Sequence, residues 1–160
     1  MKVMAWDQST TVSAWSIFND GEYADCGVID LSSMKNPEER VKKMGAALCK
    51  TIGEQKPSMI FIEDVQQQSN PATMKLLARI QGIIIGYAIA HGTEIHIISP
   101  STWRSKLNFK LGSGVKRAEL KKQAIDYVKR HYGLTLTEDQ CEAVCINAAA
   151  HKIYNCEDDI

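Results

Sequence analysis

Four acids are spaced so that one pocket could collect them: Asp7, Glu63, Asp139 and Glu142. Asp7 follows the apolar run 3–6 and Glu63 follows 59–62, so each closes what reads as a strand, where pleat gives way to loop. Asp139 and Glu142 are three apart in a helical stretch, and at about 100° per residue they lie about 60° apart on one face. Ala143, Ile146, Ala149, Ala150 and Ile153 share that face, so it packs on a sheet and carries the two acids inward. Carboxylates on a buried face are costly unless something compensates them. A pair of divalent cations suits these residue types. Mg²⁺ takes carboxylate oxygens together with substrate phosphate, and two such ions can clamp an in-line phosphoryl displacement. Each acid alone also has a plainer reading: a helix-start acid for Asp139, an Asx-turn for Asp7, a solvated strand end for Glu63. Glu138, four before Glu142, competes for the same face.

The elements that must position these acids follow from hydrophobic period and turn signals. Residues 2–6, 11–18 and 22–31 read as strands, with Asn19-Asp20-Gly21 as the turn between the second and third. Asn36-Pro37-Glu38-Glu39 starts a helix that ends over 53–57. Residues 59–63 form a short apolar strand buried on both faces. The stretch 71–91 is a helix whose later part is apolar nearly all round, which implies burial on more than one side. Residues 94–98 are a fifth strand, 100–107 a short helix, 110–114 a Gly-containing loop, 115–132 a basic helix and 137–154 the last helix, with 155–160 a frayed acidic tail. This order gives an α/β fold of the ribonuclease H-like plan, a mixed five-stranded sheet (three antiparallel strands, then parallel strands) with helices on both faces, as one domain over 1–160.

Composition bounds the partners. The chain has 160 residues, 44% hydrophobic, with 19 basic and 19 acidic side chains. The balance is uneven along the sequence: residues 100–132 carry 9 basic and 2 acidic side chains, and 133–160 carry 1 basic and 6 acidic. A basic segment directly before an acidic one fits a polyanion partner beside metal-binding carboxylates, and equally a solvated basic helix. Five cysteines, an odd count without a C-x-x-C pair, fit free thiols in a reducing compartment. The run 82–90 is short of a membrane span and Asp7 interrupts any leader, so the expectation is a cytoplasmic protein with no membrane partner.

Asp7-Gln8-Ser9, Ile60-Phe61-Ile62-Glu63-Asp64-Val65, Gly112-Ser113-Gly114-Val115-Lys116 and Asp139-Gln140-Cys141-Glu142-Ala143 stand in the order and spacing of the RuvC family, and the chain resembles a Holliday junction resolvase of the compact bacteriophage kind over residues 1–153. The resemblance implies a homodimeric endonuclease making paired, symmetric nicks in four-way DNA junctions by two-metal hydrolysis, in the host cytoplasm if phage-encoded. Asp7, Glu63, Asp139 and Glu142 would hold two Mg²⁺ per site, with Mn²⁺ able to substitute. Lys116 matches a family lysine near the scissile phosphate, and Lys106, Lys110, Arg117, Lys121 and Lys122 would hold the DNA backbone. The pattern departs from the family where Gln8-Ser9 replaces Pro-Gly, where Glu142 replaces the commoner Asp, and at Gln66, where some relatives carry an aromatic that stacks on a junction base.

Other features carry alternatives. Trp103, amid Ser101, Arg104 and Lys106, can stack on DNA or anchor the core. Gly82 and Gly86 fit a partner helix approaching the 71–91 segment in a homodimer, or an ordinary core helix. Cys141, Cys145, His151 and Cys156 point to different sides of the last helix, which speaks against zinc. A broader branched-DNA or RNA/DNA-hybrid nuclease of the same fold, and a non-catalytic junction-binding protein, remain as competing functions.

Overall fold

The computed structural model describes residues 1–66 and 70–157, with side chains through Tyr154. Gln67, Gln68 and the end of the acidic tail, 158–160, lie outside the described residues. The elements are β1 (Lys2–Asp7), β2 (Val12–Asn19), β3 (Glu22–Asp30), α1 (Pro37–Gln55), β4 (Met59–Glu63), α2 (Pro71–Ala90), β5 (Glu94–Ile98), α3 (Pro100–Lys106), α4 (Arg117–Tyr132) and α5 (Glu138–Glu157). One sheet runs in the order β3-β2-β1-β4-β5. The pairs β1–β2 and β2–β3 are antiparallel, whereas β1–β4 and β4–β5 are parallel. This is the mixed five-stranded sheet that the pattern implied.

Local chemistry explains the boundaries. Asp20 and Gly21 both take positive φ, 49° and 86°, the requirement of a two-residue hairpin whose twist matches its strands. Asn36 caps α1 by accepting from the Glu38 and Glu39 amides at 3.0 and 3.2 Å, and Pro37 fills the first helical position. The helix runs through Gly53, where the Tyr87 hydroxyl lies so close that a Cβ would meet it at 2.7 Å, and stops at Lys56 with φ 49°. The last helix continues to Glu157, three residues past its expected end.

Strand alternation sorts the core into two layers. Met4, Trp6, Ile60 and Ile62 face α1 and α2, and pack with Met44, Leu48, Ile80 and Ile84. Val3, Ala5, Met59 and Phe61 face the other way and pack with Trp103, Ala124, Val144 and Ala149 of α3, α4 and α5. Every residue from Cys141 to Ala150 is buried, so α5 is enclosed all round, between the sheet and α3/α4, rather than buried on one face only. A polar pin sets its height. Asn147, fully buried, donates through Nδ2 to the Val3 and Ser16 carbonyls and to Ser16 Oγ, each at 3.2 Å, while Ser16 Oγ donates to the Ala143 carbonyl at 2.8 Å.

The second helix departs from expectation. Its buried residues are Ile80, Ile84 and Ala88, while Ile89 is 70% and Met74 39% exposed. One face joins the core and the other is apolar but uncovered within the chain; a Cβ at Gly82 or Gly86 would meet nothing within 4 Å. Taken whole, α2 is long and apolar enough to cross a membrane by length and composition, although its Ile80–Ile84–Ala88 stripe is packed on the sheet.

Asn147→Ala removes a buried donor that serves three acceptors, and leaving such acceptors unpaired costs roughly 2 kcal/mol of unfolding free energy. Equilibrium urea denaturation of the variant against the parent chain measures it, and an unchanged midpoint would show that α5 is held by apolar packing alone.

Candidate active site

Parallel pairing brings the first two acids together. Trp6 pairs with Ile62, so Asp7 and Glu63, one residue on, leave adjacent strands at the same level. Because Trp6 and Ile62 face α1 and α2, alternation turns Asp7 and Glu63 toward the opposite layer, where α5 lies. Gln8 fastens the two strand ends together by donating its Nε2 to the Glu63 carbonyl.

From the other side, the first turns of α5 supply Asp139 and Glu142. One carboxylate oxygen from each of Asp7, Asp139 and Glu142 lies within 4.8 Å of the others. Glu63 lies beside this tight group, and its Oε2 accepts a hydrogen bond from Trp103 Nε1 at 2.6 Å. Glu138 is drawn off to the surface, where Lys121 Nζ meets it at 2.7 Å. The sequence left Glu138 and Asp139 as rivals; the helix rotation selects Asp139.

Like charges in a half-enclosed space raise one another's proton affinity. Burial, then Glu142, Glu63 and Asp139 in that order, push the Asp7 carboxyl well above the usual carboxylate range. Glu63 is raised as well, chiefly by burial, with the Trp103 hydrogen bond and the Arg104 charge pulling the other way. An all-oxygen, anionic, mutually repelling donor set fits a hard divalent cation. Among the described residues no thiol joins the acids: Cys145 Sγ points to the Ala124 carbonyl at 3.8 Å and Cys141 Sγ to that of Leu136 at 3.9 Å, while the His151 ring lies over Gly21 and the Cys156 side chain lies outside the described residues.

The acids open into a cleft of about 950 Å³, whose walls include Gln8, Arg40, Gln66, Arg104, Val115 and Arg117. Trp103 corrects the stacking expectation. Its ring is fully buried, edge-on to Phe109 at 5.6 Å between centroids, so it offers no face to a nucleotide. The Lys121 ammonium pairs with Glu138 at 2.7 Å and also stands 3.8 Å from Asp139. Lys106, Lys110 and Lys122 are exposed, and Lys116, exposed at the N-cap of α4, sits between the cleft-lining Val115 and Arg117. Gln66 is exposed on the cleft wall.

Two cleft cations escaped the sequence reading. Arg40 reaches in from α1, and Arg104 Nη2 stands 3.3 Å from Glu142 Oε1. The signal for Arg104 was its place beside Trp103 in the short helix after β5, where adjacent positions send side chains in different directions. For Asn147, the signal was a lone amide in the otherwise apolar stretch 143–150.

Comparison with known proteins agrees with this geometry. The profile of the family described as "Crossover junction endodeoxyribonuclease RuvC" matches residues 10–150. A protein of that name from Prosthecochloris aestuarii is 27% identical over 107 residues, covering 67% of this chain and 54% of the relative, so the match spans about half the relative's length. Among solved structures, Thermus thermophilus RuvC in complex with a Holliday junction substrate superposes with a TM-score of 0.75 at 15% identity, over 98% of this chain and 96% of that one. The yeast mitochondrial Holliday junction resolvase Ydc2 gives 0.59 at 15% identity, over 99% and 84%. At these identities the two structures establish the fold.

The raised Asp7 carboxyl has a thermodynamic consequence. Between its unfolded and folded pKa values the folded chain keeps a proton that the unfolded chain has released, so stability falls as pH rises through that interval. Asp7→Asn should therefore raise the melting temperature of chelator-treated protein at pH 7.5 by a few degrees, with the gain shrinking as pH is lowered toward 4. Mg²⁺ or Mn²⁺ should stabilise the parent chain and not the variant. Scanning calorimetry across pH, with and without EDTA, checks both.

Proposed function

The chain belongs to the RuvC family, and from that premise we propose that it is a divalent-metal-dependent endonuclease that makes paired nicks in four-way DNA junctions. The observation that carries this reading is the meeting of Asp7, Asp139 and Glu142 within 4.8 Å in a cleft lined also by Arg40, Arg104 and Arg117. Asp7, Asp139 and Glu142 would hold the cations, with the free oxygen of Glu63 completing the set; Mg²⁺ is the expected ion and Mn²⁺ a substitute. Such ions, when bound, lower the pKa of water and offset charge on a leaving oxygen. The chain's own part is to present the acids pre-placed and to steer the phosphate. Arg117 on the cleft wall and Lys116 beside it are suited to the scissile phosphate, while Lys106, Lys110 and Lys122 provide backbone contacts that make binding salt-sensitive. In this reading residues 1–160 act as one nuclease domain inside the cell, where its DNA is.

A junction has two strands to cut, and the uncovered face of α2 supports a two-fold dimer that supplies two sites. Met74, Gly82, Gly86 and Ile89 form an exposed apolar surface on which the glycines permit close helix approach. Gln66 offers amide hydrogen bonds rather than a stacking ring at the cleft wall, so junction opening would rely on backbone contacts and the amide.

Nicking of a fixed four-way junction should require Mg²⁺ or Mn²⁺, stop with chelator and give symmetric cuts in opposed strands. Asp7→Asn should lower the rate by more than about 100-fold, beyond the effect of losing an outer-shell partner, while junction binding in a gel-shift assay persists. Equal cutting of RNA/DNA hybrid would move the reading to a broader nuclease; binding without turnover would reduce it to an accessory protein. Ile89→Asp should give a monomer by analytical ultracentrifugation and uncouple the two nicks.

A further inference from the structure

The short helix α3 touches the acidic site twice, through adjacent residues. Trp103 Nε1 donates to Glu63 Oε2 at 2.6 Å, and Arg104 Nη2 lies 3.3 Å from Glu142 Oε1. The two acids come from different elements, β4 and α5, and α3 stands between them. The Arg104 guanidinium also lies over the Trp103 ring, 4.7 Å from its centroid, so the two side chains are held to each other. The platform is capped and packed. Ser99 caps α3 by accepting from the Thr102 amide at 3.1 Å, Pro100 occupies the first turn, and the Trp103 ring is packed in the core with Phe109 and Leu107.

We propose that Trp103 and Arg104 act together as a positioning pair that keeps Glu63 and Glu142 in place for a cation: Trp103 ties one oxygen of Glu63 and leaves the other to ligate, and Arg104 restrains Glu142. Without such restraints, mutual repulsion would swing the acids toward water. A buried indole N–H is suited to this task because it is a donor only, carries no charge, and its ring is fixed by packing. The arginine gives a partial counter-charge at the Glu142 edge of the Asp7–Asp139–Glu142 group. Neither residue touches the reacting phosphate in this assignment; both act through the carboxylates. The inference rests on the cation-binding reading of those acids.

The test uses Trp103→Phe, which keeps an aromatic ring and removes the N–H, and Arg104→Met, which keeps the apolar stem and removes the charge. Loss of an outer-shell partner weakens metal affinity or activity by about 10–100-fold. Each variant should therefore raise the Mg²⁺ concentration for half-maximal junction nicking at least about tenfold, with junction affinity in EDTA unchanged in Trp103→Phe. A variant that melts earlier yet keeps the parent's half-saturation point would overturn the proposal, since that is the signature of a purely structural residue. A measurement on the parent chain stands whether or not the variants fold. The Trp103 indole N–H resonance, assigned by its loss in Trp103→Phe or, failing that, by through-space contacts to Phe109, should shift on Mg²⁺ titration, and the shift should vanish in Glu63→Gln. An indole resonance that stays still while Mg²⁺ raises the melting temperature would sink the pair and spare the cation site. If Mg²⁺ changes neither melting temperature nor any resonance of the parent chain, the cation site itself fails and the pair with it.

Discussion

Carboxylates that must share one pocket repel one another, and the fold supplies the force that holds them there. Parallel pairing of β1 with β4 fixes Asp7 beside Glu63, and the buried Asn147–Ser16 hydrogen bonds set the height of α5 so that Asp139 and Glu142 complete the group. The alternation of side chains makes this arrangement all-or-none. A one-residue slip of β4 would send Glu63 into the apolar core packed against α1 and α2.

The burial that concentrates the negative potential is only half complete, and that is consistent with use. Full enclosure would neutralise the acids by protonation, while full exposure would let water screen them and leave no gradient for a cation. Asp7 sits between these limits: its proton affinity is raised by enclosure and by its three acidic neighbours, while one wall of the pocket is open cleft. Arginines from α1, α3 and α4 line that cleft. An anion entering a cleft that holds both arginines and carboxylates is attracted by the former and repelled by the latter until the acids are charge-balanced.

Two apolar features show how the same side-chain type serves different ends. The ring of Trp103, which sequence context alone left free to stack on nucleic acid, is fully enclosed and contributes its N–H to the site. The isoleucines of α2 divide between core and surface: Ile80 and Ile84 are buried against the sheet, whereas Ile89 is open. A helix that is apolar all round has no moment to say which face goes inward, so its neighbours decide.

Much of the architecture was legible in the residues because it depends on local period. The strands 59–63 and 94–98, the Asp20-Gly21 hairpin and the Asn36-Pro37 helix start are written in alternation, turn chemistry and capping, which act over a few residues. The meeting of Asp7, Asp139 and Glu142 was legible too, since Asp7 closes a strand and helical spacing unites Asp139 with Glu142. What only the tertiary structure decided was which polar groups the acids would meet. That Lys121 would pair with Glu138, whether Trp103 would point outward, and that Arg104, Arg40 and Asn147 would matter at all depend on the packing of helices α1, α3, α4 and α5 distant in sequence. Local propensity sets which element a residue joins; the rotation and depth of that element follow from the surfaces it is packed against.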